Sequence, residues 1–112
     1  MSNFSSFMNI NYDDMSMIVE SMHLNDHGTM HGGLLYAFCM EAVVFYVERL
    51  NRKGAAMEGN IHYYRPAFLN DCLKAVIHER KNGKKMSVYL VELINQESKL
   101  IADCLVSVMW NL

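Results

Sequence analysis

A single apolar run dominates the chain. It extends over residues 34–47 and contains one charged residue, Glu41. The run is too short to cross a bilayer, which takes roughly 20 apolar residues, and too long for an average strand of roughly 5 or 6 residues. It therefore predicts a buried helix that begins near Gly32 and Gly33 and has its C-cap at Gly54. Because such a helix is apolar on every side, we expect a curled sheet on one side of it and a second copy of the chain on the other.

Turn residues divide the rest of the chain into strand-like segments. Two strands are predicted before the helix and four after it, over 4–10, 15–22, 57–67, 72–79, 86–94 and 100–110. The Asn82-Gly83 pair predicts a hairpin with a type I′ turn. The four later strands are expected to form an antiparallel meander. Residues 1–112 are therefore predicted to form a single α+β domain, in which about six antiparallel strands surround one long helix.

The composition excludes several broad classes of protein. With 112 residues and a net charge of −2, the chain has room for one core and lacks the basic surface that nucleic-acid binding usually needs. The N-terminus lacks the basic and apolar regions of a signal peptide. The three cysteines are widely spaced in apolar contexts, which is typical of reduced thiols. We therefore expect a cytoplasmic protein that binds neither nucleic acid nor a membrane.

Two groups of potentially reactive side chains are set aside. His23, His27 and His31 recur every four residues, which on a helix would suit a metal ion. Gly28 disfavours a continuous helix there, so we expect a loop and no metal site. Cys39 lies inside the apolar run without a neighbouring cation, so an activated thiolate is not expected.

The predicted start of the helix is the first candidate site. Gly32 and Gly33 have no side chains, so a ligand can approach the backbone closely there. The free N–H groups of a first helical turn, together with the positive end of the helix dipole, bind anions. An amide at Gly33 or Leu34 is placed to hold a developing oxyanion. The alternative is that both glycines only permit tight packing of the helix start.

Several short motifs surround this helix start and extend to the last strand. They are Asn25-x-x-Gly28-x-x-His31-Gly32-Gly33, Tyr63-Tyr64-Arg65-Pro66-Ala67, Asn70-Asp71, Gly83-Lys84-Lys85 and Lys99-Leu100-Ile101-Ala102. In this order the motifs resemble those of the hot-dog fold thioesterases, among them the phenylacetate-pathway and 4-hydroxybenzoyl-CoA thioesterases. The resemblance covers nearly the whole chain from Met15 onward. It implies an α+β hot-dog fold, in which a long antiparallel sheet wraps a central helix.

The resemblance also implies an activity, that of an acyl-CoA thioesterase in which water attacks the thioester carbonyl. Coenzyme A would enter as part of the substrate, and no separate cofactor is expected. Members of this family pair their sheets edge to edge, so a homodimer or a dimer of dimers with shared sites is implied. The alternative is a non-catalytic sensor that binds acyl-CoA or another acyl thioester in the same pocket and acts through a partner protein.

One position departs from the family pattern. The catalytic Asp or Glu of the family is the seventh residue after the second glycine, which here is Met40, and Glu41 comes one position later. One residue is about 100° of helix rotation, so Glu41 does not simply replace the usual carboxylate. A carboxylate inside an apolar helix is costly unless it is paired or protonated. Glu41 is therefore either a general base that activates water or the partner of a cation such as Arg65.

The resemblance gives roles to the remaining candidates. Asn25 would place substrate or water, and His31 would orient or polarise the thioester carbonyl. A turn residue and a helix cap are the alternatives for these two positions. Substrate contacts are expected from Gly32, Tyr36, Met40, Tyr64, Arg65 and Lys85. Arg65 and Lys85 would meet the phosphates of coenzyme A, although a solvated hairpin is the usual reason for a basic cluster such as that around Lys85. The aromatic and Met-rich surroundings, including Tyr63, would accept an aryl or a medium aliphatic acyl chain.

Overall fold

The computed structural model describes residues 3–111. Along the chain they form α1 (Asn3–Met8), β1 (Ser16–Ile18), a 3₁₀ turn (Ser21–His23), α2 (Gly32–Glu48), β2 (Gly54–Tyr63), β3 (Cys72–Asn82), β4 (Met86–Ile94) and β5 (Leu100–Trp110). The strands make one antiparallel sheet in the order β1-β3-β4-β5-β2. The predicted α+β fold is confirmed, with five strands instead of about six. Within the described range, no helix is long and apolar enough to cross a membrane.

The long helix packs one side against the sheet. The buried side chains of α2 are Leu35, Phe38, Cys39, Ala42, Val43 and Val47. Burial alternates along β4 and β5, as expected for strands with one covered face. Burying a side chain as completely as Phe38 stabilises the fold by roughly 1.5 to 3 kcal/mol. The other side of α2 is only partly covered, since Val44 remains 38% exposed, and a second copy of the chain there stays an expectation.

The predicted meander is wrong for β2. β3, β4 and β5 are consecutive antiparallel neighbours, but β2 pairs with β5 and forms an edge of the sheet. The segment after β2 contains Pro66, which has no N–H to donate to a ladder. It crosses to the other edge, where Asn70 and Asp71 bond to the backbone of Val19 next to β1. Strand pairing depends on where this connection leads, and local periodicity contains no information about that.

The predicted strand over 4–10 is also wrong, because most of this segment is α1. Phe4, Phe7 and Met8 recur at helical spacing, and Met8 is fully buried. The second predicted strand is confirmed only over Ser16–Ile18, because the 3₁₀ turn follows it. A short amphipathic helix and a short strand therefore replace the two strands expected before α2.

Two glycines have other roles than predicted. Gly54 does not cap α2, which ends at Glu48, but begins β2. A Cβ at Gly54 would lie 2.6 Å from the Trp110 ring, so the glycine is needed for close packing between β2 and β5. The hairpin at Gly83 is confirmed in place but not in type. Neither Asn82 nor Gly83 has the positive φ that a type I′ turn requires.

Candidate active site

The loop before α2 is shaped by Asn25. Its side-chain Oδ1 accepts hydrogen bonds from the N–H groups of His27 (2.9 Å) and Thr29 (3.2 Å), and its Nδ2 donates to Thr29 Oγ1 (3.1 Å). Gly28 has a φ of 78° in this turn, a conformation that glycine adopts without strain. Asn25 thus makes the contacts of a turn residue, while its role toward a substrate stays a prediction.

His31 is the N-cap of α2. Its Nδ1 accepts a hydrogen bond from the Gly33 N–H at 3.0 Å, and its carbonyl accepts one from the Leu34 N–H at 3.0 Å. Because Nδ1 is an acceptor, the neutral ring carries its proton on Nε2. Both amides considered for an oxyanion are therefore bonded to His31. A ligand oxygen that binds the Gly33 amide has to replace the imidazole, and the exposed position of His31 leaves the ring room to turn.

A cavity of about 350 Å³ opens at the start of α2. Its walls are formed by Met30, Gly32, Leu35, Tyr63, Tyr64, Arg65, Pro66 and Ala67. The structure thus brings together three of the predicted substrate residues, Gly32, Tyr64 and Arg65. The Tyr64 hydroxyl donates to the Asp103 carboxylate at 3.2 Å, and Arg65 Nη1 donates to the Leu100 carbonyl at 2.8 Å. Both side chains are therefore tethered to the start of β5.

Tyr63 connects this cavity to the helix. Its hydroxyl donates a hydrogen bond to the Gly32 carbonyl at 2.8 Å. A Cβ on residue 32 would lie 3.2 Å from the Cζ and Oη atoms of Tyr63, so a glycine is what lets the ring come this close. Partial burial raises the pKa of Tyr63, which keeps the phenol protonated and able to donate.

Glu41 is bonded to the N-terminal segment. Its Oε2 accepts a hydrogen bond from the Tyr12 hydroxyl at 2.7 Å, and Ser5 Oγ lies 3.5 Å from the same oxygen. Partial burial raises the pKa of Tyr12, and the neighbouring Glu41 adds to this rise. Together with Val44, Phe45 and Glu48, these three residues line a second cavity of about 360 Å³. Within one chain, Glu41 thus has hydroxyl partners, whereas Arg65 is bonded elsewhere.

Glu41 and the helix start are well separated within one chain. Gly33 and Glu41 are about 12 Å apart along the helix axis, at 1.5 Å per residue. Met40 is half-buried against the core. Tyr36 packs onto β2, where a Cβ at Gly59 would lie 2.5 Å from its hydroxyl oxygen. A single chain therefore does not bring the candidate carboxylate to the candidate oxyanion amides.

Lys85 lies at the far end of the sheet from the helix start. It belongs to the β3–β4 hairpin, and its carbonyl accepts a hydrogen bond from the Trp110 N–H at 2.9 Å. The helix start lies beside the other end of β5, where Ala102 pairs with Tyr63. The structure of one chain does not join Lys85 to the cavity that contains Arg65.

Ser5 and Tyr12 are absent from the candidates predicted from sequence. Their segment lies outside the family motifs, and the predicted strand over 4–10 gave no reason to place it against the long helix. The available signal was the helical spacing of Phe4, Phe7 and Met8, which predicts that α1 packs as a helix and so can bring Ser5 to Glu41.

The thiol of Cys39 is not activated. Cys39, Cys72 and Cys104 are all free. Contact with the Cys104 thiol and burial raise the pKa of Cys39, which disfavours a thiolate there. Among residues 3–111, no cluster of three or more His, Cys, Asp or Glu side chains could hold a metal ion.

Comparison with known sequences gives close matches in one family. The sequence profile of the thioesterase superfamily matches residues 27–102. The chain is 32% identical to acyl-coenzyme A thioesterase PaaI of Escherichia coli over 88 residues, which are 79% of this chain and 63% of that protein. It is 33% identical to human acyl-coenzyme A thioesterase 13 over 90 residues, which are 78% of this chain and 64% of that protein. The chain thus spans less than two thirds of the length of these relatives.

Solved structures have the same architecture. The E. coli PaaI protein from the phenylacetic acid degradation operon superposes with a TM-score of 0.81 at 29% identity, covering 85% of this chain and 69% of that one. A hypothetical thioesterase from Streptococcus pneumoniae TIGR4, with coenzyme A, superposes with a TM-score of 0.82 over 86% of this chain and 77% of that one. At 24% identity, this second likeness shows the fold alone. The chain therefore belongs to the thioesterase superfamily and has the hot-dog fold.

Proposed function

We propose that the protein hydrolyses acyl-CoA thioesters. The observation that carries this proposal is the His31-Gly32-Gly33 start of α2, which lies at a cavity lined by Tyr64 and Arg65. The helix dipole and the backbone amides at such a site favour a developing negative charge. The E. coli and human relatives are both named acyl-coenzyme A thioesterases, which supports the same substrate class for this chain.

Hydrolysis requires an oxyanion site. Water attacks the thioester carbonyl carbon, the carbonyl oxygen takes up negative charge, and collapse of the tetrahedral intermediate expels the thiolate of coenzyme A. The Gly33 amide would hold the oxygen once His31 Nδ1 has released the N–H. One such donor contributes a factor of about 10² to 10³ to kcat. His31, through Nε2–H, and Asn25 would orient the thioester and the water.

Glu41 is the proposed general base. Because it lies about 12 Å along α2 from Gly33, it would serve the Gly33 amide of a second subunit and not that of its own chain. The Tyr12 hydroxyl bonds to Oε2, which leaves Oε1 for a water molecule in the adjoining cavity. Tyr12 would thereby hold the carboxylate in a fixed orientation toward that cavity.

A homodimer, or a dimer of dimers, would complete the site. β2 is an edge strand, and the backbone groups of an edge strand are available for pairing with another chain. Val44 on α2 and Met57 on β2 are exposed apolar side chains that a second copy would cover. Such a dimer could also bring Lys85 of one subunit, with Arg65 of the other, to the phosphates of coenzyme A. The free thiols support a reducing, cytoplasmic setting.

The second candidate is a non-catalytic acyl-CoA-binding protein. Met40 occupies the position at which the family pattern has a catalytic carboxylate, and Glu41 accepts a hydrogen bond from Tyr12. If that hydrogen bond is only structural, the chain has no base, and the cavity at the helix start serves for binding alone.

Hydrolysis of short, long and aromatic acyl-CoAs, followed with a thiol-reactive dye, tests the proposal. We expect turnover by the natural sequence and a loss of about 100-fold or more in kcat for Glu41→Gln, with substrate binding retained. Glu48→Gln is the matched control, because it removes a carboxylate from the same helix and the same cavity. If none of these acyl-CoAs is hydrolysed but they raise the thermal stability of the protein, the result would favour the non-catalytic binding protein. Unchanged turnover in Glu41→Gln would instead make Glu41 structural.

A further inference from the structure

We propose that Tyr63 is a positioning residue for the start of α2, whose hydroxyl holds the Gly32 carbonyl and thereby sets the direction of the Gly33 N–H. The inference rests on the proposed thioester hydrolysis, because the Gly33 N–H is the group that would hold the oxyanion. Tyr63 acts through the backbone of Gly32 and needs no contact with the reacting atoms.

The planarity of the peptide bond links the two groups. The Gly32 carbonyl and the Gly33 N–H belong to one rigid peptide unit, so a change in the direction of one changes the direction of the other. Tyr63 holds the oxygen of this unit at 2.8 Å, and His31 Nδ1 holds its hydrogen end, with the N–H donating over 3.0 Å. When a thioester oxygen takes the place of His31, Tyr63 remains as the side chain that orients the unit.

The backbone around Tyr63 is held in place by the sheet. It is the last residue of β2 and pairs with Ala102 of β5. The next two N–H groups, those of Tyr64 and Arg65, both donate to the Ile101 carbonyl, at 2.8 and 3.1 Å. β5 has a neighbouring strand on each side, so the backbone around Tyr63 is held by an interior strand of the sheet.

The start of α2 needs an additional hydrogen bond of this kind to be well ordered. Gly32 and Gly33 are adjacent glycines, and glycine loses more conformational freedom on ordering than any other residue. In a regular helix, the Gly32 carbonyl also accepts a hydrogen bond from the Tyr36 N–H. The Tyr63 hydroxyl adds a second donor to that oxygen. Donation to the carbonyl also polarises the peptide unit, which strengthens the Gly33 N–H as a donor to an oxyanion.

Substitution of Tyr63→Phe tests this inference, because it keeps the ring as a wall of the cavity and removes only the hydroxyl. We expect kcat for acyl-CoA hydrolysis to fall at least about threefold while KM stays within about twofold, since small misplacements of catalytic groups affect the rate strongly. Hydrogen exchange at the Gly33 and Tyr36 amides should become at least about threefold faster, because both report on the order of the first helical turn. Tyr46→Phe, which removes a hydroxyl outside this cavity, is the matched control.

The possible results separate this inference from the proposed function. If the natural sequence hydrolyses acyl-CoA and Tyr63→Phe loses less than threefold in kcat, the role of Tyr63 is overturned and the proposed function stands. A loss of kcat without faster exchange at Gly33 also overturns it, because the hydroxyl would then act on the substrate directly. If the natural sequence shows no turnover, the proposed function fails. Amide exchange then decides the positioning role, and unchanged exchange in Tyr63→Phe overturns it.

Discussion

Two histidines at the ends of one loop use the same ring atom for different purposes. His23 Nδ1 accepts from the Glu20 N–H at 2.9 Å, and its Nε2 lies 2.8 Å from the Phe7 carbonyl. His31 Nδ1 accepts from the Gly33 N–H at 3.0 Å. His23 is fully buried, whereas His31 is exposed. Burial makes His23 a permanent link between α1 and the 3₁₀ turn, and exposure lets His31 give up its partner to a ligand.

The structural role of His23 predicts a large loss of stability for His23→Ala. The substitution leaves the Glu20 N–H and the Phe7 carbonyl unpaired and opens a space in the core, so we expect the free energy of unfolding to fall by about 2 to 4 kcal/mol. His27→Ala, at an exposed loop position, should change it by no more than about 0.5 kcal/mol. Denaturant unfolding measures both variants. Equal values for the two would contradict the link described for His23.

At the scale of the elements, aromatic packing sets the junction of α2 and β2. The guanidinium of Arg52 lies 3.8 Å from the centroid of the Trp110 ring and donates to the Gly83 carbonyl at 3.0 Å. The indole Nε1 of Trp110 donates to Ser87 Oγ at 2.9 Å. Gly54 lies against the same ring. Trp110 thus packs against the connection between α2 and β2 and also contacts the β3–β4 hairpin.

Gly54→Ala should destabilise the protein through this packing. The added Cβ would lie 2.6 Å from the Trp110 ring and 2.8 Å from the Met109 carbonyl oxygen. Neither group can move without disturbing β5, so we expect a loss of about 1 to 3 kcal/mol in the free energy of unfolding. Thermal unfolding checks this against Ala55→Ser, an exposed neighbour. A stabilised Gly54→Ala variant would show that the junction tolerates the extra methyl group.

The elements differ in how far they can be predicted. The bounds of β4 and β5, Met86–Ile94 and Leu100–Trp110, are confirmed, because long alternating strands with one buried face have a clear period of two. α1 is mispredicted because a helix of six residues covers too few turns for its period to stand out. The helix cap is mispredicted because Gly54 is needed for close packing against the Trp110 ring, which is distant in sequence.

At the scale of the whole molecule, three features of a single chain point to association with a second copy. β2 is an edge strand, the side of α2 that carries Val44 is partly exposed, and Glu41 lies about 12 Å along the helix from Gly33. One association, through β2 and the open side of α2, would resolve all three features. This is why the proposed mechanism requires two subunits.

Met57→Lys should weaken that association. Met57 on β2 is 61% exposed, and a lysine on an edge strand opposes pairing with another strand. We expect sedimentation to show about twice the chain mass for the natural sequence, or about four times that mass for a dimer of dimers. For the variant we expect a shift toward the 12.9 kDa chain mass. Met22→Lys is the control, because Met22 is 53% exposed but lies away from β2. If both variants keep the mass of the natural sequence, the proposed interface is wrong.

The sequence by itself determined the long helix over 34–47, the alternating strands after it and the family to which the helix-start motif belongs. These features depend on local periodicity and on glycine and histidine residues at fixed spacing. Both are properties of the sequence that do not require tertiary structure. Only the tertiary structure decided that Tyr12 meets Glu41 and that Tyr63 reaches Gly32. Each of these contacts joins residues about 30 positions apart, and their meeting depends on how the N-terminal segment and β2 pack against α2.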